Sequence, residues 1–218
     1  MSTTNQPGDT VQAGSSRRAE LLALAGRLFA ERGFKSTTVR DIADAAGILS
    51  GSLYHHFDSK EQMVDEILTA FLDDLFGTYR EIVAQDLGPR KTLEAAVAAS
   101  FDAIHKHHDE VAIFQHEAKY LVQFPRFAYL ADRNAEFYQL WTSILTEGVR
   151  TGAFRADLDV ELTYRFIRDT VWVAVHWYKP GGSLTAEDVA DEYLGILLDG
   201  IATRRGKKPG GKGSGSSG

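Results

Sequence analysis

Thr37-Thr38-Val39-Arg40-Asp41-Ile42-Ala43-Asp44-Ala45-Ala46-Gly47-Ile48-Leu49-Ser50-Gly51-Ser52-Leu53-Tyr54-His55-His56-Phe57 reads as two short helices joined at a glycine. Thr37 or Thr38 can cap the first helix with its hydroxyl, and Gly47 can take the left-handed conformation that the joint requires. Ala43 and Ala46 are small enough for a close helix crossing, and Ile42, Ile48, Leu53 and Phe57 would lock the pair together. The face left over is polar: Ser50, Ser52, Tyr54 and His55, with the cation of Lys60 just beyond. A helix with such a face can lie in a major groove, donate to phosphates and reach base edges.

Outward from this stretch the pattern stays helical. Leu21, Leu24, Ala25, Leu28 and Phe29 recur at three- and four-residue spacing from Ser16 to Gly33, which predicts a first helix. After Phe57, Asp58 or Ser59 caps a long helix carrying Met63, Ile67, Leu68, Phe71, Leu72, Leu75 and Ile82, which Leu87-Gly88-Pro89 ends. Further helices are predicted at about 91–107, 110–122, 127–150, 159–178 and 185–204, with Phe124-Pro125, Gly152 and Pro180-Gly181-Gly182 as breaks. The expected fold is all-α, about nine helices in all. A flexible arm over 1–14 precedes a three-helix helix-turn-helix domain over 15–60. A larger helical effector-binding and dimerisation domain over 61–205 follows, then a flexible Gly/Ser/Lys-rich tail over 206–218.

The net charge of −6 is unevenly spread. Residues 1–60 hold 7 basic against 6 acidic side chains, whereas residues 61–203 hold 12 against 24. Only the first part can approach phosphates without strong repulsion. The absence of cysteine excludes disulfides, thiol redox sensing and cysteine zinc sites. The polar N-terminus and the shortness of the apolar run Thr170 to Tyr178 argue against a signal peptide or membrane span, so a soluble, cytoplasmic protein without a membrane partner is expected. No nucleophile elbow, phosphate loop or metalloprotease motif is present, and Ser100 and Ser143 lack triad partners. No catalytic residue and no cofactor are expected.

The Thr-capped helix, Ala-Ala-Gly, then Leu-Tyr-x-His-Phe and Lys-Glu resemble the DNA-binding domain of the TetR family over about residues 17–66. The resemblance implies a homodimer on double-stranded operator DNA. It also implies that Thr38 and Tyr54 hold phosphates, that Lys60 contacts the DNA backbone, and that Arg40, Ser50, Ser52 and His55 stand nearest the bases. Leu49 departs from the pattern, because a Ser or Thr often caps the recognition helix there, and Ser50 stands where a Lys is common. Base preference therefore does not transfer. Arg17 and Arg18 are either solvated or part of an arm feeling the adjacent backbone or minor groove. His56 and Phe57 read as packing residues.

In the body, Val189, Tyr193, Leu194, Leu197, Leu198 and Ile201 fall on one side of the last helix, and Leu162, Phe166, Val173 and Trp177 on one side of the helix before it. Two such helices per subunit can form a four-helix bundle about a two-fold axis; packing within one subunit is the alternative. Arg168 and Trp172 lie four apart in the apolar run from Phe166 to Tyr178. A buried guanidinium there demands an anion, and the indole can stack on it or on a ligand ring. An anionic, partly apolar small-molecule effector satisfies this; so does a salt bridge to Glu117, or exposure. Phe114, Tyr120, Tyr138 and Trp141 are further candidates for the wall of an effector pocket. His105, His107, His108 and His116 suit a helix end better than a metal site, so no metal is expected. The Leu49-Ser50-Gly51-Ser52 variant, with this aromatic and Arg-bearing body, looks like the KstR-type repressors of actinobacterial steroid catabolism. That resemblance implies release by a coenzyme A thioester of a steroid degradation intermediate. The alternative is a regulator of a different catabolic or efflux operon with an unrelated apolar effector. An acyl-CoA hydrolase and an interaction protein without DNA binding are two further classes, the first opposed by the missing motifs and the second by Thr38, Tyr54 and Lys60.

Overall fold

In the computed structural model, residues 8–201 are described, with side chains over 16–199. Nine α-helices occur among them and no sheet. The first three are α1 (Gly8–Arg32), α2 (Val39–Ala45) and α3 (Ser50–Leu53). The larger part comprises α4 (Lys60–Ala84), α5 (Pro89–Lys106), α6 (His108–Leu121), α7 (Tyr129–Thr151), α8 (Val160–Val173) and α9 (Ala186–Ile201). Helix α1 starts at Gly8, so residues 8–14, expected as an arm, lie in helix. The rest of that arm and the tail over 206–218 lie outside the described residues.

The helix starts follow local hydrogen-bond chemistry. Thr38 and Asp41 form a reciprocal capping box on α2. The Ser59 hydroxyl accepts the Gln62 N–H at 3.2 Å on α4, and Asp159 accepts the Leu162 N–H at 2.9 Å on α8. Each such cap contributes about 1 kcal/mol. Gly47, at φ 67, makes the joint between α2 and α3, where a residue with a Cβ would be strained.

Two helices are shorter than their hydrophobic pattern suggests. Beyond Leu53 the N–H groups of His56 and Phe57 both turn back to the Leu53 carbonyl, which swings the Phe57 ring into the core. Beyond Val173 a tighter turn over Ala174–His176 brings Tyr178 inward, where its hydroxyl meets His105 Nδ1 at 2.7 Å. Both turns bury the ring of an aromatic residue whose N–H still reaches the carbonyl four residues back, Phe57 to Leu53 at 3.1 Å and Tyr178 to Ala174 at 2.7 Å.

Helix α4 organises the molecule. Its N-terminal half, with Met63, Val64 and Ile67, packs on α1, and Phe71, Leu72, Leu75, Phe76 and Tyr79 continue into the larger helical part. One apolar core therefore runs through both parts. Helix α6 also packs against α1, making a second connection.

Candidate functional site

The polar face expected on α2 and α3 is present. Tyr54 is 55% exposed, and His55, Arg40 and Thr38 are exposed. The Ser50 and Ser52 hydroxyls, on half-buried residues, make no hydrogen bond among the described residues. Thr38 donates its hydroxyl to Asp41 Oδ2 at 2.5 Å, which holds the Asp41 carboxyl below its ordinary pKa. Arg40 lies 3.6 Å from Asp44 in an exposed pair that is worth little and leaves the guanidinium open to another anion.

Lys60 is tied into the fold. Its ammonium donates to the Phe34 carbonyl at 2.8 Å and the Thr37 carbonyl at 3.0 Å, and lies 4.3 Å from the centre of the Phe34 ring. Two of its three donors thus tie down the α1–α2 loop, leaving one for the DNA-backbone contact that the family pattern implies. Arg17 and Arg18 are also structural. Arg17 reaches the Ala46 carbonyl at 3.1 Å at the end of α2. Arg18 meets both Glu66 oxygens at 2.6 Å with its guanidinium 4.4 Å from the Phe57 ring centre. The hydrogen bond from Arg18 lowers the Glu66 pKa, against a smaller opposing effect of burial. His56 and Phe57 pack against each other at 6.4 Å.

Behind this unit, a cavity of about 730 Å³ opens between α4, α6, α7 and α8. Phe71, Leu75 and Phe76 form one wall and Phe114, Phe137, Tyr138, Tyr164 and Trp172 much of the rest. Four cations, Lys119, Arg133, Arg165 and Arg168, share its lining with two acids, Glu161 and Asp169. This size and mixture suit an apolar ligand body with an anionic end.

Of the six expected pocket residues, Arg168, Trp172, Phe114 and Tyr138 line this cavity, and two do not. Tyr120 stacks edge-on to Phe124 at 5.1 Å, with the Lys35 ammonium 3.7 Å from its ring centre. Trp141 is fully buried between Tyr79 and Phe137, at 6.0 and 5.7 Å, as part of the core. Arg168 is not the buried, anion-starved group that its apolar neighbours suggest. Its side chain is 45% exposed and its Nε donates to Asp169 Oδ1 at 2.6 Å. Glu117, its alternative partner, accepts the Phe34 N–H instead.

Among the lining residues that escaped the sequence reading are Tyr164, Arg133 and Phe137. Tyr164, four before Arg168, extends the Arg168–Trp172 stripe by one turn, and its ring centre lies 5.6 Å from the Arg168 guanidinium. On α7, Arg133 and Phe137 repeat the same four-residue spacing, and Arg133 stands 5.2 Å from the Phe76 ring. The histidines are individually engaged: His105 with Tyr178, His107 with Asp74, His108 with the Val175 carbonyl and His116 with His176. No group of three metal-ligating side chains occurs among the described residues. No described helix is long and apolar enough to cross a membrane.

Residues 21–67 match the family described as bacterial regulatory proteins, tetR family, and residues 86–201 that described as tetracyclin repressor-like, C-terminal domain. The chain is 62% identical to the HTH-type transcriptional repressor KstR2 of Rhodococcus jostii (strain RHA1) over 200 residues, covering 92% of this chain and 98% of that one. The structure of the ketosteroid transcriptional regulator KstR2 of Mycobacterium tuberculosis superimposes with a TM-score of 0.84 at 57% identity, over 86% of this chain and 95% of that one. AibR in complex with isovaleryl coenzyme A and operator DNA superimposes with a TM-score of 0.72 at 25% identity, over 83% and 97%. The helix-turn-helix, the helical body and these matches agree: the chain belongs to the TetR family of bacterial transcriptional regulators and is a regulator, not an enzyme.

Proposed function

We propose that this regulator is a homodimeric, cytoplasmic repressor that holds an inverted-repeat operator and lets it go when a coenzyme A thioester of a steroid degradation intermediate enters the cavity. The observation that carries the reading is the cavity itself: a lining rich in aromatic rings around about 730 Å³, with four cations in it, of which Arg133, Arg165 and Arg168 also pair with carboxylates. The KstR2 relatives and the isovaleryl coenzyme A bound by AibR support the same class of effector.

On the DNA side, Tyr54 donates to a phosphate, Thr38 does the same by turning its hydroxyl away from Asp41, and Arg40, Ser50, Ser52 and His55 face the bases. One short recognition helix makes few base contacts, so two half-sites are needed for specificity. The second subunit docks on α8 and α9. Leu162, Phe166, Val173 and Trp177 are 46–62% exposed along and just beyond α8, and Ile196 on α9 is 70% exposed. These apolar groups form a candidate self-complementary face.

The test is anisotropy of a duplex selected from random DNA by the full chain, titrated with thioesters of steroid-ring carboxylic acids beside free coenzyme A. Release by a ring-bearing thioester and not by free coenzyme A is expected. Release by none of them overturns the effector assignment, and a monomer with no preference for inverted repeats overturns the dimer.

A further inference from the structure

Leu49 immediately precedes α3 and is 80% exposed, although the residue before it, Ile48, is half-buried in the core and donates its N–H to the Ala43 carbonyl at 3.0 Å. Nothing inside the subunit explains a leucine here. As the N-cap of α3 it makes no side-chain cap, and the Ser52 N–H is met by the Leu49 backbone carbonyl at 2.9 Å, which any residue would supply. A serine, threonine or asparagine would add a hydrogen bond at this position and hide no less apolar surface. The leucine therefore gives the isolated fold neither a side-chain cap nor buried apolar area.

Its surroundings say what it meets. Leu49 is the large apolar side chain on a face otherwise composed of Ser50, Gly51, Ser52, Tyr54 and His55, and a Cβ placed on Gly51 would meet nothing within 4 Å. That face is the one a helix-turn-helix lays in the major groove, with the first residues of the second helix at the base edges. Among groups exposed in that groove, the thymine C5-methyl is the apolar one. We propose that Leu49 is a specificity-determining residue of this regulator, packing its isobutyl group on a thymine methyl in each half-site of the operator. The inference rests on α2 and α3 being the operator-reading unit.

The experiment replaces thymine by deoxyuracil, one position at a time and symmetrically in both half-sites, in a duplex selected from random DNA by the wild-type chain. The exchange removes one methyl and leaves every hydrogen bond intact. Wild-type protein is expected to lose affinity about fourfold per half-site, hence about sixteenfold for the symmetric exchange, at a single position, the equivalent of one apolar carbon withdrawn from contact in each half-site. Leu49→Ala is expected to bind the thymine duplex more weakly and to show no further loss at that position. Leu49→Met, which keeps apolar reach, is expected to restore part of the discrimination. Since the side chain is exposed, the variant should melt with the wild type. A uracil scan that affects wild type and Leu49→Ala alike at every thymine overturns the assignment, as does an equal weakening of all duplexes, which would place the leucine against the sugar backbone. If Ser52→Ala and Tyr54→Phe also change binding to no duplex, the reading of α2 and α3 falls, and the inference with it.

Discussion

The Glu117 carboxylate on α6 accepts the backbone N–H of Phe34 at 3.0 Å, joining the effector-side helices to the loop that positions α2. Phe114, three residues earlier on α6, lines the cavity. A ligand that displaces α6 therefore acts on the same rigid helix that holds the α1–α2 loop. Lys60 grips that loop from the other side through the Phe34 and Thr37 carbonyls. Coupling between cavity and operator requires that the two ends of α6 move together and that the effector favour one arrangement.

Glu117→Ala should loosen this coupling. The Phe34 N–H loses its carboxylate partner, at a cost of about 1–3 kcal/mol where the group stays away from water. The expected outcome is a fold-release by effector reduced about tenfold, with operator affinity lowered far less, read from operator titrations with and without a bound thioester. Unchanged release in a variant that melts with the wild type would remove this contact from the coupling route.

Lys60→Ala should act on stability. Its two carbonyl contacts are charge-assisted and partly buried, so a loss of about 1–3 kcal/mol is expected, seen as a lower melting temperature. The slope of operator affinity against salt should stay at the wild-type value if this internal role is the whole of what Lys60 does. A slope smaller by about 1 with unchanged melting would restore Lys60 to the DNA interface.

The contrast between Lys60 and Thr38 shows what a sequence discloses. Thr38 and Ser59 are legible, each as one of two candidate caps, because a cap depends on a hydrogen bond three residues away, and the helices they start follow. Lys60 stands at the position the family pattern predicts, but its flexible stem turns to whichever acceptors the fold brings near, and Phe34 and Thr37 are 26 and 23 residues distant. Trp141 and Tyr120 illustrate the same limit for rings: spacing places a ring on a helix, while the neighbouring helices decide whether it faces a cavity or the core. Arg168 had an acceptor beside it in Asp169, and an i, i+1 pair does not share a helix face in the idealised geometry on which the sequence argument relied. The cavity itself is formed by four helices, so local spacing marks single wall residues such as Arg168 and Trp172 but not the space between them.

Tyr54→Phe should weaken binding to every duplex by a similar factor. The phenol is over half exposed with no partner among the described residues, so its hydroxyl is free to donate to a phosphate, worth about 1 kcal/mol. Ser52→Ala should instead discriminate among duplexes. Affinity measured across a panel of single-base variants separates the two, and a uniform loss with Ser52→Ala would move that serine to the phosphate class.

The Arg18–Glu66 pair should make stability depend on acid. The Glu66 pKa is lowered in the folded state by the hydrogen bond from Arg18, so its contribution is present above the ordinary glutamate pKa and is lost as pH falls through the depressed value. Melting temperatures of wild type and Glu66→Gln should differ at neutral pH and converge as pH falls from the ordinary glutamate pKa through the depressed Glu66 value. A difference independent of pH would show that the pair acts through packing on Phe57.

Arg168→Met and Trp172→Ala should both impair effector release, by different routes. Trp172 is 6% exposed and forms cavity wall and core together, 6.1 Å from the Phe137 ring, so its truncation should lower stability by about 3–5 kcal/mol as well as remove ligand contacts. Arg168 is partly exposed and bonded to Asp169, an exposed pair of small worth, so Arg168→Met should leave melting and operator binding near wild type. What it removes is a cation at the cavity, and its loss should weaken thioester binding while a neutral steroid, lacking phosphates, is affected much less. Arg133→Met supplies the comparison: that guanidinium is held by Asp73 and Glu136 beside the Phe76 ring, so its loss should disturb α4 and α7 and lower the melting temperature. Thioester sensitivity equal to wild type in Arg168→Met would show that the anionic end of the effector is held elsewhere on the rim, with Arg165 and Lys119 the next cations to replace.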